Sequence, residues 1–191
     1  MNKKIIIIGG HFASGKSTFA LRLSKELNIP YLTKDTLKSA ICTNIPIRSR
    51  EESKRFSAVA FNVMMYVVER FLETDHPIII ESNFVPHGVK EIDEAGVIKK
   101  LIDKYDYQSL TYKFVGDMQI LYKRCMEREK LHQHGEANKL WSDFTYDYFE
   151  RYCHNLDDFH IDGEIITIDT TDFDKVNFDA HIETARQFIL S

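Results

Sequence analysis

The sequence predicts an α/β fold, a three-layer sandwich of helices around a parallel sheet, and three observations carry that prediction. A β-branched run, Lys4–Ile8, leads directly into the glycine-containing segment Gly10–Thr18. A helical apolar pattern follows at once, with Phe19, Ala20, Leu23 and Leu27 on one face and Arg22, Lys25 and Glu26 on the other. Further short apolar runs at Tyr31–Thr33, Ile78–Ile80, Leu110–Val115 and Glu164–Ile168 then alternate with helical patterns to the end of the chain. Strands that alternate with helices pair in parallel through helical crossovers.

Gly10–Thr18 reads Gly-His-Phe-Ala-Ser-Gly-Lys-Ser-Thr, a match to G-x-x-x-x-G-K-[ST]. Gly10 and Gly15 permit backbone angles closed to other residues, so the N–H groups of the loop through His11, Phe12, Ala13 and Ser14 can turn inward around an anion. Strand, loop and helix occur in the order that aims a helix N-terminus at phosphate. The reading is a nucleoside triphosphate site. Lys16 reaches the β- and γ-phosphates, the Ser17 hydroxyl ligates Mg²⁺, and Thr18 completes the loop.

The helix Lys16–Leu27 ends at Asn28 and Pro30, and the short strand Tyr31–Thr33 feeds a helix over Lys34–Ile41. Thr33 or Asp35 opens that helix, and Asp35 is its cap, a base at the carboxyl end of the second strand, where open α/β sheets bind ligands, or both at once. Thr43–Arg50 reads as a loop whose Arg48 and Arg50 either hold an anionic substrate or sit in solvent. Glu51–Thr74 is a long helix with apolar stripes on two faces, which predicts deep burial or a dimer contact. The third strand, Ile78–Ile80, ends in Glu81-Ser82-Asn83. An acid at that tip suits Mg²⁺, or pairs with a lysine; Asn83 and the loop 84–88, with His87, then line a substrate cleft.

Helical signals run through Val89–Tyr105, and Asp117 caps a helix over Met118–Lys130. On it Arg124 and Arg128 stand four apart on one face, placed to clamp transferring phosphates or to pair with Glu127 and Glu129. The polar stretch Leu131–Glu136 reads as the hinge of a small helical lid spanning roughly residues 117–140, and the spacing of its histidines lacks the further ligands that a metal needs. An aromatic-rich helix is expected over Ala137–Tyr152, then the fifth strand, then Thr170-Thr171 passing near the nucleotide base, then a closing helix over Lys175–Leu190.

With 191 residues, no repeat and no linker, one domain over residues 1–191 is expected. A net charge of −4 carries no basic excess, which argues against an extended nucleic-acid surface. Cys42, Cys125 and Cys153 form no paired motif, so reduced thiols in a cytoplasmic protein are expected, with no membrane span and a monomeric or homodimeric state.

In order, Gly10–Thr18, Lys34-Asp35 with Lys38, the strand ending Glu81-Ser82-Asn83-Phe84, and Arg124 with Arg128 resemble one known family. It is the P-loop kinases of small molecules and nucleic-acid ends, the adenylate-kinase-like group that includes gluconate and shikimate kinases, chloramphenicol phosphotransferase, zeta toxins and polynucleotide kinase. The resemblance implies a five-stranded parallel sheet in order 2-3-1-4-5, ATP with Mg²⁺, Asp35 as general base and lid arginines Arg124 and Arg128 on the phosphates. Lys38, Arg48 and Asn83 are the substrate-binding candidates beside Asp35. Lys38 stands where polynucleotide kinases commonly carry arginine, and neither an Asp-Gly-Phe/Tyr-Pro-Arg strand end nor a Gly-Gly-Gly loop occurs. The expected activity is phosphorylation of a small-molecule hydroxyl. The alternatives are a nucleoside, nucleotide or polynucleotide-end kinase, and a nucleotide-dependent switch or ATPase acting through a partner. For the switch, Asp93–Gly96 matches D-x-x-G, but no [NT]-K-x-D motif is present.

Overall fold

The computed structural model describes residues 3–85, 93–131 and 136–191. Its centre is a parallel sheet of β1 (Lys4–Gly10), β2 (Tyr31–Thr33), β3 (Ile78–Glu81), β4 (Gln108–Val115) and β5 (Glu164–Asp169), ordered β2-β3-β1-β4-β5. The expected order therefore holds. β1 lies centrally between β3 and β4, and its four isoleucines are sealed on both faces, which is why the run shows no polar alternation.

The helices are α1 (Lys16–Leu27), α2 (Lys34–Ile41), α3 (Arg50–Leu72), α4 (Glu94–Tyr105), α5 (Met118–Lys130), α6 (Tyr146–Asp157) and α7 (Phe178–Leu190). One core packs α3 and α4 on the face of the sheet carrying Ile5 and Ile7. A second packs α1 and α7 on the face carrying Ile6 and Ile8. A third, smaller core joins α5 to α6 beside Phe12 and contains the buried thiols of Cys125 and Cys153. Burial pushes those thiols up to about 11 and about 12. No disulfide forms among the described residues.

Several expectations are corrected. α3 buries one face only, through Ala60, Phe61, Met64, Met65, Val68 and Leu72, while Val59 and Val63 on the opposite stripe are 45% and 39% exposed. The aromatic stretch after residue 136 is not one helix. A 3₁₀ turn at Glu136–Asn138 and an irregular segment precede α6, because Thr145 caps it by accepting from the Tyr148 N–H. The last helix starts at Phe178, not Lys175, behind a 3₁₀ turn at Phe173–Lys175 and the Asn177 cap. Asp93 is the cap of α4, accepting from Gly96 N–H at 2.9 Å, so the D-x-x-G stretch is a helix start. Phe84 and Val85 are fully buried, and Phe84 stacks on Phe159 at 5.3 Å, so these two do not line a cleft. His87 and the histidines at 132 and 134 lie outside the described residues. Among the described residues, no helix is long and apolar enough to cross a membrane.

Candidate active site

The loop between β1 and α1 uses three left-handed residues, Gly10 (φ +115°), Ala13 (φ +54°) and Gly15 (φ +88°). Gly10 is obligatory, since a Cβ there would stand 2.0 Å from the Phe114 carbonyl oxygen of β4. His11 N–H donates to that same carbonyl at 2.9 Å. The first side chains of the loop brace it from behind. His11 is buried with Nε2 2.9 Å from Asp157 Oδ1, while its Nδ1 has no partner among the described residues. Burial holds the imidazole below its ordinary value, with Asp157 opposing. Phe12 packs against Phe144 and Phe149 of the third core and against Tyr152. Ser14 Oγ donates to the His11 carbonyl at 2.7 Å. His11, Phe12 and Ser14 thus shape the loop, and what they turn to a ligand is backbone.

Lys16 is buried, and its ammonium donates to the His11 carbonyl across the loop. Desolvation lowers its pKa, against the pull of Glu81 and Asp35. Ser17 Oγ donates to Glu81 Oε2 at 3.1 Å, linking the first turn of α1 to the tip of β3. Glu81 is buried, and desolvation raises its carboxyl to about 7 even with Lys16 beside it. A hydroxyl and a carboxylate at this separation form an oxygen pair of the kind Mg²⁺ uses while keeping waters and phosphate oxygens in its other positions. Among the described residues no cluster of three or more His, Cys, Asp or Glu forms a self-sufficient metal cage.

Asp35 stands in the first turn of α2, beyond the strand pairing that sets Thr33 of β2 against Glu81 of β3. The two readings of this acid now separate. Thr33 is the cap, its Oγ1 accepting from Thr36 N–H at 3.4 Å, so the Asp35 carboxylate is exposed and not used in capping. It acts electrostatically on both Lys16 and Glu81. The preceding Lys34 forms a buried ion pair with Glu94 at 3.1 Å, and Glu94 also accepts from Val85 N–H, which pins the start of α2 to α4. Sequence reading missed this pair because its members lie 60 residues apart with no local signal.

The other candidates divide. Asn83 is half-buried two residues past Glu81. Lys38 does not share the open side of α2 with Asp35; it is buried, and its ammonium donates to Ser53 Oγ of α3 at 2.7 Å. Arg48 is exposed, with its backbone N–H donating to Glu52 at 2.7 Å. Arg50 is the more engaged of the two loop arginines, paired with the Asp143 carboxylate and stacked 4.2 Å above the Tyr148 ring. Asn138, also unforeseen, donates to the Asp35 carbonyl at 3.1 Å and to Ser39 Oγ at 2.9 Å, holding the segment before α6 over α2.

Arg124 and Arg128 serve different places. Arg124 donates to the Thr170 and Thr171 carbonyls at 2.6 and 2.8 Å and stacks 4.2 Å over Phe173. Arg128 lies near enough to Lys16 to disfavour its charge. Thr170 is fully buried, its hydroxyl donating to the Val115 carbonyl, so its part is to hold Arg124 and not to meet a base. Phe173, which no motif marks, lies over Gly15 and forms one wall of a pocket of about 320 Å³ with Thr18, Phe19, Arg22 and Phe178.

Comparison with solved structures bears on the fold. A candidate kinase from Chloroflexus aurantiacus superposes with a TM-score of 0.86 at 22% identity, over 98% of this chain and 99% of that one. The fold is that of the P-loop kinases. Kti12 of Chaetomium thermophilum, solved with ADP-AlF3, gives 0.63 at 16% identity over 97% of this chain and 98% of its own. The APS kinase CysC of Mycobacterium tuberculosis, solved with AMPPNP and APS, gives 0.57 at 12% over 100% and 99%. No protein-family model matches the sequence, and no curated protein does.

Proposed function

We propose that the protein transfers the γ-phosphoryl group of ATP to a hydroxyl of a small molecule. The observation that carries this reading is the junction of three strand ends. Lys16 and Ser17 follow β1, Glu81 ends β3 beside Ser17 Oγ, and Asp35 follows β2 with an open, uncapped carboxylate. Two of the structural neighbours were solved with adenine-nucleotide complexes, which supports ATP as donor.

The loop N–H groups and the α1 N-terminus hold the β- and γ-phosphates, with Lys16 leaving the His11 carbonyl for phosphate oxygens. The nucleobase enters the pocket beside Phe173, whose loop Arg124 fixes. Asp35 accepts the proton of the acceptor hydroxyl as its oxygen attacks the γ-phosphorus and the bond to ADP breaks. Arg128 and Lys16 stabilise the equatorial oxygens. Ser17 and Glu81 would hold Mg²⁺, which when bound would neutralise charge that develops during transfer. Residues 117–140 act as the lid.

The test is transfer from terminally labelled ATP into pooled hydroxyl metabolites, with Lys16→Ala as control. Label in a discrete product, lost in the control, supports the reading. Label found only as free phosphate shifts the weight to an ATPase acting through a partner. Asp35→Asn should lower the transfer rate by about 10²- to 10⁴-fold with nucleotide affinity retained. An undiminished rate removes Asp35 from the role of base.

A further inference from the structure

α3 presents a second, unused apolar seam on the side opposite its buried face. Phe56, Val59, Val63 and Tyr66 recur at alternating spacings of three and four, the a/d rhythm of a helix pair. None of the four packs in the three hydrophobic cores. Val59, Val63 and Tyr66 are 45%, 39% and 64% exposed, and Phe56 is half-buried. The same rhythm continues outward to Glu52 at one end and Arg70 at the other. Among the described residues, Arg70 is engaged along its own helix, at 2.8 Å from Glu73, 3.4 Å from Glu69 and 5.1 Å over the Tyr66 ring. Exposed pairs of this kind contribute little, so Arg70 can exchange them at small cost.

We infer that α3 is the interface of a homodimer, in which two copies of the helix pair antiparallel about a two-fold axis. The seam itself selects this register. Setting Val59 against Val63 of the second copy places Phe56 against Tyr66 and Glu52 against Arg70, and the two-fold axis repeats every pair. Apolar residues meet apolar ones in four successive layers, and each end closes on opposite charges. A parallel arrangement would set Glu52 on Glu52 and Arg70 on Arg70. An antiparallel slip of one heptad would place Val59 on Arg70 or Val63 on Glu52. Charge thus discriminates against the alternatives in the manner of paired helices.

The 23-residue helix is roughly 35 Å long, so contact along its seam makes an interface at the small end of the specific range. The dimer is therefore weak, with a dissociation constant on the order of 10 µM.

Sedimentation velocity of the full chain from about 1 µM to about 300 µM brackets that constant. The expected result is a monomer that becomes a dimer across the range. Val63→Asp should abolish association, and Arg70→Glu should weaken it about tenfold. Circular dichroism and melting temperature verify that both variants fold, as exposed positions lead one to expect. Under mild oxidation, the Val59→Cys/Val63→Cys double variant should give a covalent dimer, with the native chain as background and each single variant near that background. A monomer at every concentration overturns the inference and leaves the seam to a different protein. A dimer unmoved by Val63→Asp places the interface elsewhere, and efficient crosslinking of Val63→Cys alone shows parallel helices; each of these also overturns it.

Discussion

At the scale of single residues, the site combines charges that a folded chain without ligand holds at a cost. Glu81 is buried between Ser17 and Lys16, and its folded-state pKa near 7 lies above the ordinary carboxylate value of 4.5. The folded chain therefore binds a proton there more tightly than the unfolded chain. The stability tied to this group is fully present below about pH 4.5 and is lost as pH rises through 7, a change on the order of 3 kcal/mol. Glu81→Gln keeps a hydrogen-bonding oxygen but does not titrate. Its melting temperature relative to the native chain should climb between pH 5 and 8, while phosphoryl transfer falls. A difference that stays flat across that window in thermal scans would show that Glu81 is ionised at little cost. The phosphate loop and the strand-tip acid were legible in sequence because each depends on near neighbours in the chain. Asp35 was legible as a position but not as a role, because only the Thr33 hydroxyl on the Thr36 N–H shows that the carboxylate is free of the cap. Lys38 stands a turn beyond Asp35 as expected, but its burial was not legible, for a related reason. Ser53, which takes its ammonium into the α2–α3 contact, arrives from a helix that spacing cannot orient.

At the scale of elements, strand positions and helix number followed from apolar runs between helical patterns, the strand order from the family resemblance, and errors gathered where a side chain sets a boundary. Thr145 and Asn177 start α6 and α7 later than the apolar pattern alone suggests, since each supplies the first turn with an acceptor. Helix α5 shows how one element divides its tasks. Asp117 caps it, Leu121 and Cys125 bury its inner side, Arg124 ties it to the loop after β5, and Arg128 acts electrostatically on Lys16. Arg124→Ala strips two carbonyls of their donor and removes the cation above Phe173. The expected outcome is about a tenfold rise in the nucleotide dissociation constant, or ~1.4 kcal/mol, with Arg124→Lys recovering part of it because a lysine supplies charge without the fork. Titration with a non-hydrolysable ATP analogue reads this directly. Unchanged affinity in Arg124→Ala would separate α5 from the nucleotide end of the site.

At the scale of the whole molecule, two cores grip the sheet from both faces, and all the strand-end chemistry gathers at one edge of that rigid slab. The sheet fixes Lys16, Ser17 and Glu81 before any ligand arrives, and the resulting strain is electrostatic, with a buried ammonium donating to a carbonyl and a buried acid biased towards its proton. On the proposed function, phosphate would relieve the first and Mg²⁺ the second, so ligand binding should feed back on global stability more strongly when both are present. With an ATP analogue and Mg²⁺ at a hundred times the dissociation constant, the added stability is about 2.7 kcal/mol. For a chain of this length that corresponds to a melting temperature raised by roughly 5–11 °C. Lys16→Ala should show almost no rise, because the phosphate loses its ammonium, whereas Asp35→Asn should show the full rise, because an exposed carboxylate at the acceptor side takes no part in holding the nucleotide. Thermal scans of the three proteins side by side decide the matter. Equal rises in all three would mean that the nucleotide is held somewhere other than the junction of β1, β2 and β3. A rise lost in both variants would place Asp35 among the groups that bind the donor, and the proton of the acceptor hydroxyl would need a different base.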